Sequence, residues 1–235
     1  NGVYIELNTN ELYGRNLTAG ALDVMGQYYS VASSSHAFYN YGGLVYTGND
    51  EKALFDNMWQ KCYAVIACCN TIIEKCDENK AGLSPVWKGS IKGEALALRA
   101  MLHFDMLRLF GPLTSELDKE SIPYQTNSDQ TVTPLLSGSE VIGLILDDLK
   151  NAVGLLKDTD PYFVEEEFSD TDLNYRRFRM NYFAAKGLMA RVQLWGGDKE
   201  KAAITAKEVI AEGQAEGAEF FPFVTNSEAT SSNPD

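Results

Sequence analysis

One strongly apolar stretch, GEALALRAMLHFDMLRLFGP at residues 93–112, contains four side chains that could carry chemistry: Arg99, His103, Asp105 and Arg108. An arginine, a histidine and a carboxylate on adjoining turns of a helix could bind a charged substrate or transfer a proton. Asp105 and Arg108, however, have the spacing of a helix-surface ion pair. We predict that Arg99 is structural, with its stem packed along the helix and its head group bound to a carboxylate or a carbonyl. The helix is then a scaffold element.

Histidine and cysteine are the side chains that would bind zinc, and neither shows a ligand pattern here. The chain has only two histidines, His36 and His103, and neither has an H-E-x-x-H neighbour. Three of its four cysteines follow one another at intervals of seven residues. On one helix this interval separates Cα atoms by roughly 10 Å, whereas a disulfide needs less than about 7 Å. We therefore predict no metal site, no cofactor, and free thiols that serve as small core residues: Cys62, Cys69 and Cys76.

A glycoside hydrolase would need two carboxylates held a fixed distance apart. Glu94, Asp105 and the acidic run at 165–167 are candidates, but a chain with 33 Asp and Glu residues offers such pairs by chance. No G-x-S-x-G motif, P-loop or dinucleotide fingerprint is present. We predict that the protein is not an enzyme and has no catalytic residues, and we keep a glycosidase fragment as a third hypothesis.

The charge of the chain limits its partners. Its 235 residues carry a formal net charge of −13, which repels the phosphates of nucleic acids and of anionic membrane surfaces. The most apolar run, at 63–73, is too short to span a bilayer. The chain starts at Asn1 instead of Met, so we expect any targeting segment to lie outside it. Neutral partners such as sugars or proteins remain.

Apolar residues recur at helical spacing along most of the chain. This pattern predicts five helices and a weaker sixth near the start, with no segment that alternates as a strand. Long polar loops separate them at 29–50, 111–138 and 157–175. The helices are predicted at 51–77, 86–110, 139–156, 176–195 and 199–212, and the weaker one at 8–28.

The segment from Arg179 to Glu212 has the composition of two closely packed antiparallel helices. It joins a helix rich in alanine and glycine to a second alanine-rich helix through a Gly-Gly-Asp turn. Small residues allow such helices to approach each other, as in tetratricopeptide (TPR) repeats. We predict an all-α fold of TPR-like helical hairpins with long irregular loops. The chain would form a single helical domain over 1–235, with TPR-like units at about 51–110 and 139–212 and a tail at 213–235.

One loop has the side chains that bind sugars. The stretch FYNYGGLVY at 38–46 combines aromatic rings, which can stack on a pyranose ring, with an amide that can bond hydroxyl groups. The alternative is that this loop packs on its own helices or on a further part of the protein. The predicted ligand-binding residues are Tyr39, Asn40, Tyr41 and Tyr46.

Four segments together resemble one protein family. Residues 91–113 resemble the SusD/RagB-family helix that carries E-A-x-x-x-R-A, then an aromatic residue, then Leu before Phe-Gly. Residues 58–76 are similar to the preceding family helix, with its I-x-x-x-N-x-x-I pattern. Residues 145–156 resemble the D-L-x-x-A-x-x-L-L helix, and 184–210 the late hairpin A-x-x-L-x-A-R-x-x-L-x-x-G-D-x-x-x-A. The segments follow one another in the order found in the family.

The resemblance implies a helical, TPR-containing glycan-binding lipoprotein on the extracellular face of the outer membrane. Such a protein covers a TonB-dependent transporter of the SusC type and delivers oligosaccharide or polysaccharide nutrient to it. This chain lacks the lipidated N-terminal cysteine of the family, so the membrane would be reached only through an anchor absent from this chain. We also expect a further C-terminal part after 213–235. The alternative function is a TPR-like protein–protein adaptor without a sugar-binding role.

Overall fold

The computed structural model describes residues 1–129, 131–164, 168–169, 175–215 and 225–230. In these residues it confirms the predicted all-α, TPR-like fold with long irregular loops. The helices are α1 (Gly2–Leu7), α2 (Ala21–Met25), α3 (Tyr39–Gly42), α4 (Asn49–Glu78), α5 (Pro85–Phe110), α6 (Gly138–Thr159), α7 (Tyr182–Trp195), α8 (Lys199–Gly213) and α9 (Asn226–Ala229). Two short strands, β1 (Glu120–Pro123) and β2 (Leu135–Ser137), form an antiparallel pair.

The prediction of a helix over 8–28 was wrong. Only α2 is helical within this range, because α1 ends at Leu7, and residues 10–20 form consecutive turns. The hydroxyl of Thr9 donates to the carbonyl of Glu6, and that of Thr18 to the carbonyl of Tyr13. Such local bonds between side chains and backbone compete with helix formation. The helix predicted from 176 instead begins at Tyr182, because the Asn181 side chain accepts from the Ala184 amide and caps it.

Helix α5 is the central element and packs against α4, α6 and α7. Ser84 caps its start by accepting from the Trp87 amide, with Pro85 in the first turn. It approaches α6 closely because two of its positions are glycines. A Cβ at Gly93 would lie 2.8 Å from Leu156 Cγ, and one at Gly89 would lie 2.5 Å from Thr159 Cγ2. The absence of a side chain at Gly89 and Gly93 thus allows the two helices to pack this closely.

The cysteines occupy the positions expected of small core residues. Cys62, Cys69 and Cys76 are buried, Cys68 is exposed, and all four are free thiols. Burial raises the pKa of the Cys69 thiol to about 12. Such a thiol stays protonated at neutral pH and is a poor nucleophile.

The polar residues of α5 bind an irregular segment that also contacts α4 and α6. We call this segment, residues 124–128, the strap. Arg99 donates from Nε and Nη2 to the two carboxylate oxygens of Asp148 on α6, both at 2.7 Å. Its Nη1 donates to Asn70 Oδ1 on α4 at 2.8 Å and to the strap carbonyl of Thr126 at 3.4 Å. The prediction that Arg99 is structural, bound to a carboxylate and a carbonyl, is confirmed.

Two further side chains bond the strap backbone. Asn70 Nδ2 donates to the carbonyls of Gln125 and Asn127, at 3.1 and 2.9 Å. His103 accepts from the Gln125 amide at Nε2, at 3.0 Å, and its Nδ1 lies 2.9 Å from the Arg99 carbonyl, so the proton belongs on Nδ1. Burial is the main cause that lowers the pKa of His103 to about 3. The histidine is therefore a neutral structural group.

A second buried network ties the N-terminal segment to the helices. Arg176 forms ion pairs with Asp160 and Glu94, both at 2.6 Å. Tyr4 on α1 donates its hydroxyl to the same Glu94, and the Asp160 carboxylate accepts from the Tyr182 amide at 2.8 Å. One arginine thus joins α5, the end of α6 and the start of α7, and Glu94 ties α1 to them.

The neutral state of His103 predicts a loss of stability in mild acid. Between the ordinary histidine pKa near 6.5 and the folded value near 3, the unfolded chain binds a proton that the folded chain does not. The free energy of unfolding should therefore fall by about 2 kcal/mol from pH 7 to pH 5 because of this group. Urea denaturation at both pH values should show that His103→Gln removes this part of the loss. His36→Gln is the control, because His36 is exposed and this variant should lose as much stability as the wild type. Equal losses in the wild type and both variants would contradict the role of His103.

The Arg99 ion pair predicts a large loss on truncation. Arg99→Ala leaves the Asp148 carboxylate buried without its cation, which should lower the free energy of unfolding by about 3–5 kcal/mol. Arg108→Ala is the matched control on the same helix, because its pair with Asp105 at 3.0 Å lies at the surface and should contribute less than about 1 kcal/mol. Similar losses for the two variants would argue against a buried pair that organises the fold.

Candidate functional site

The aromatic loop at 38–46 folds around the short helix α3. Tyr41 is only 2% exposed. Its ring packs with three others, Phe38, Tyr46 and Phe55, at centroid distances of 5.9, 6.4 and 6.0 Å. Tyr46 also packs edge-on against Phe55 of α4, at 5.5 Å. Aromatic pairs in these arrangements stabilise each other beyond the area they bury. Tyr41 and Tyr46 thus attach the loop to α4.

The opposite side of α3 faces solvent. Tyr39 is 41% exposed, and Asn40 beside it is exposed as well. They form one wall of an open groove of about 400 Å³, and Gln27 with residues 29–31 forms the other. Tyr29, at 56% exposure, is the aromatic residue of that second wall. We call this cleft the aromatic groove; the residues that line it include Tyr29, Ser30, Val31, Tyr39, Asn40 and Val45.

Backbone geometry brings the two walls together. Gln27 has a φ of 62°, an uncommon left-handed conformation for a residue other than glycine. Its side-chain Nε2 donates to the Gly42 carbonyl at the end of α3, at 3.0 Å, and to the Val24 carbonyl of α2, at 3.3 Å. One side chain therefore joins the end of α2 to the end of α3.

Buried polar groups support the groove from below. Asn40 Nδ2 donates to Glu51 Oε1 at 2.8 Å, and Glu51 lies buried in the first turn of α4. Burial, together with the charges of Glu51 and Asp50, raises the pKa of Tyr41 to about 12. The groove itself is lined by the rings of Tyr29 and Tyr39 and by the side-chain amides of Gln27 and Asn40. Flat apolar faces beside hydrogen-bonding groups suit a sugar ring, which is apolar on its faces and polar at its rim.

The structure separates the four predicted ligand-binding residues into two pairs. Tyr39 and Asn40 line the groove, whereas Tyr41 is buried behind it and Tyr46 is partly buried. The prediction also missed Tyr29. Its only signal was the Tyr28-Tyr29 pair at the start of the polar loop, and nothing in the sequence showed that this pair would lie beside α3.

The carboxylates considered for hydrolysis are bonded to other groups. Glu94 pairs with Arg176 and accepts from Tyr4. Asp105 accepts from Tyr13 at 2.6 Å and pairs with Arg108, as its spacing predicted. The acidic run at 165–167 lies outside the described residues. Within the described part of the chain, no cluster of three or more His, Cys, Asp or Glu side chains could hold a metal.

Two other cavities are less suited to a sugar. A cavity of about 680 Å³ beside Arg99 and Asp148 has no aromatic residue in its lining. A cavity of about 350 Å³ between α1 and α7 has the exposed ring of Phe178, but the hydroxyls of its two tyrosines, Tyr4 and Tyr13, are bonded to Glu94 and Asp105. The aromatic groove alone among these three combines two exposed rings with an exposed amide.

None of the helices in the described residues has the length and apolar character needed to cross a membrane.

The sequence and the fold were compared with known proteins. A SusD-like family model, described as starch-binding associating with outer membrane, matches residues 16–194. A SusD-like protein of Bacteroides ovatus is 30% identical over 146 residues, which cover 60% of this chain and 23% of that protein. A SusD superfamily structure from Bacteroides vulgatus has a TM-score of 0.73 at 20% identity, over 97% of this chain and 48% of its own. A structure described with xylogluco-oligosaccharide has a TM-score of 0.63 at 21% identity, over 97% of this chain and 40% of its own.

This chain therefore spans less than half the length of these relatives. The family model nevertheless matches most of it, and the four segments that resembled the family lie in helices α4 to α8. The chain belongs to the SusD/RagB family of SusD-like proteins.

Proposed function

We propose that this chain belongs to a non-catalytic glycan-binding protein that takes up oligosaccharide or polysaccharide at the aromatic groove. The observation that carries the proposal is the pair of exposed rings, Tyr29 and Tyr39, on either side of the groove, beside the amide of Asn40. Support comes from a family described as starch-binding and from a relative described with xylogluco-oligosaccharide. Tyr41 and Tyr46 take part by holding the loop in place.

The cellular role is part of the same proposal. The protein would lie on the extracellular face of the outer membrane, held by a lipid anchor outside this chain, and would deliver its glycan to a SusC-like TonB-dependent transporter. The TPR-like units at 51–110 and 139–212 would form one helical domain that contacts the transporter. A C-terminal part following the tail at 213–235 would complete the protein, in keeping with the greater length of the relatives.

The proposal that the protein is not an enzyme rests on how its acidic groups are used. Glu94 and Asp105 serve as acceptors for arginine and tyrosine groups that hold the helices together. Neither belongs to the aromatic groove, whose lining contains no carboxylate. A pair of carboxylates that could act on a bound glycan is therefore missing from this lining.

A protein–protein adaptor is the second candidate. Three large apolar side chains of the α7–α8 hairpin are exposed: Leu194, Ile204 and Ile210. Exposed apolar groups on one hairpin suit a protein partner. This candidate differs from the first because it requires no sugar at the aromatic groove.

Removal of the two exposed rings should weaken glycan binding. The double variant Tyr29→Ala/Tyr39→Ala removes both stacking faces, so its affinity for any glycan that the protein binds should fall at least about tenfold. Affinity electrophoresis in gels containing xyloglucan, starch, laminarin, polygalacturonate or alginate measures this as lost retardation. Tyr28→Ala is the control, because Tyr28 is 80% exposed but does not line the groove.

Full retardation of the double variant would remove the groove from the proposal. If the wild-type protein passes through every gel unretarded while it still binds a protein partner, the adaptor is the better account. Tyr41→Ala is not suited to this test, because removing a buried ring would disturb the packing of the whole loop.

A further inference from the structure

The buried side chain of Glu51 lies beside the aromatic groove and affects which sugars the groove can bind. Glu51 is only 6% exposed, and no cationic side chain among the described residues forms an ion pair with it. Its Oε1 accepts from Asn40, and its Oε2 lies against Gly48, the residue that precedes α4. The N-terminus of a helix favours a negative charge at this place.

The contact with Glu51 fixes the orientation of the Asn40 amide. Its Nδ2 donates to Glu51 Oε1 at 2.8 Å, so the NH₂ group of Asn40 points toward Glu51. The amide oxygen of Asn40 is then left free, and it accepts no hydrogen bond from the described part of the chain. Because Asn40 lines the groove, the group that it offers to a ligand is an acceptor only.

The cationic side chains of the neighbouring segments lie outside the groove lining. No lysine or arginine lines it. Asp50 lies beside Glu51 in the first turn of α4. On the neighbouring segments, Arg15 stacks on Phe38 and donates to Asn16, and Lys52 follows Glu51 in α4 but does not line the groove. A carboxylate or sulfate on a ligand would find no cation here and would lie near two carboxylates.

On the basis of the proposed function, we infer that the aromatic groove selects neutral glycans and rejects those with carboxylate or sulfate groups. Asn40 binds a sugar hydroxyl as an acceptor, and Glu51 is the positioning residue that fixes its amide. A sugar hydroxyl supplies the proton for this bond, whereas a carboxylate or sulfate group in its place supplies only acceptors.

A matched pair of ligands tests this inference. One is a neutral polysaccharide that retards the protein in a Tyr39-dependent way, and the other is the same polysaccharide with its primary hydroxyls oxidised to carboxylates. Affinities are measured at 0.15 M salt, where long-range repulsion from the net charge is largely screened. The wild-type protein should bind the oxidised form at least about tenfold more weakly.

Glu51→Gln tests the role of the positioning residue. A glutamine can present either oxygen or nitrogen to Asn40, so the amide can turn and donate to the ligand. The preference for the neutral form should shrink to about threefold or less. Asp50→Asn removes a nearby charge without touching Asn40 and should keep most of the preference. If Glu51→Gln does not fold, Glu51→Ala also frees the amide.

The possible results distinguish a failure of the selectivity for neutral glycans from a failure of glycan binding itself. Tyr39-dependent binding of an acidic glycan as tightly as its neutral form, or of an acidic glycan alone, would overturn the inference and leave glycan binding standing. An unchanged preference in both Glu51 variants would also overturn it. Absence of Tyr39-dependent binding to every neutral and acidic polysaccharide would refute the proposed function, and the inference with it.

Discussion

The ion pair between Arg99 and Asp148 is the interaction on which the helical layer depends. It joins α5 to α6 and is buried. Two buried charges are stable only if their remaining hydrogen-bonding groups also have partners. Asn70 and the Thr126 carbonyl satisfy the arginine, and the Tyr124 hydroxyl donates to the carboxylate at 2.6 Å. These partners lie on α4 and on the strap. A single pair therefore connects three helices and fixes the irregular segment that crosses them.

The polar groups of the scaffold and the groups of the groove have different tasks. Arg99 and His103 bind backbone or carboxylates of the same chain, which accounts for polar residues on the buried helix α5, and Arg176 between α6 and α7 does the same. The groove lies on loops outside this layer, where rings and amides remain open to a ligand. Glu51 belongs to both parts, because it stands in a scaffold helix and orients a residue of the groove.

The long helices could be predicted from the sequence because their buried faces require apolar residues at helical spacing. The predicted 86–110 agrees with α5 (Pro85–Phe110) to within one residue. The partners of Arg99 could not be named, since Asp148 is far along the chain and only the fold brings it near. The helix over 8–28 failed because threonine side chains bond the local backbone. In the loop, Tyr39 and Tyr41 stand on a single turn, which is too short for any pattern to show which ring faces out. Tyr29 joins them through a bond between Gln27 and Gly42.

The central claim is that a rigid helical layer presents the aromatic groove to a glycan. Hydrogen–deuterium exchange of the protein, with and without a saturating oligosaccharide of a polysaccharide that it binds, tests this most directly. The account predicts slower exchange at residues 27–31 and 39–45, with the strap and α5 unchanged. Protection confined to the strap or to the α7–α8 hairpin, with none at 27–45, would contradict it.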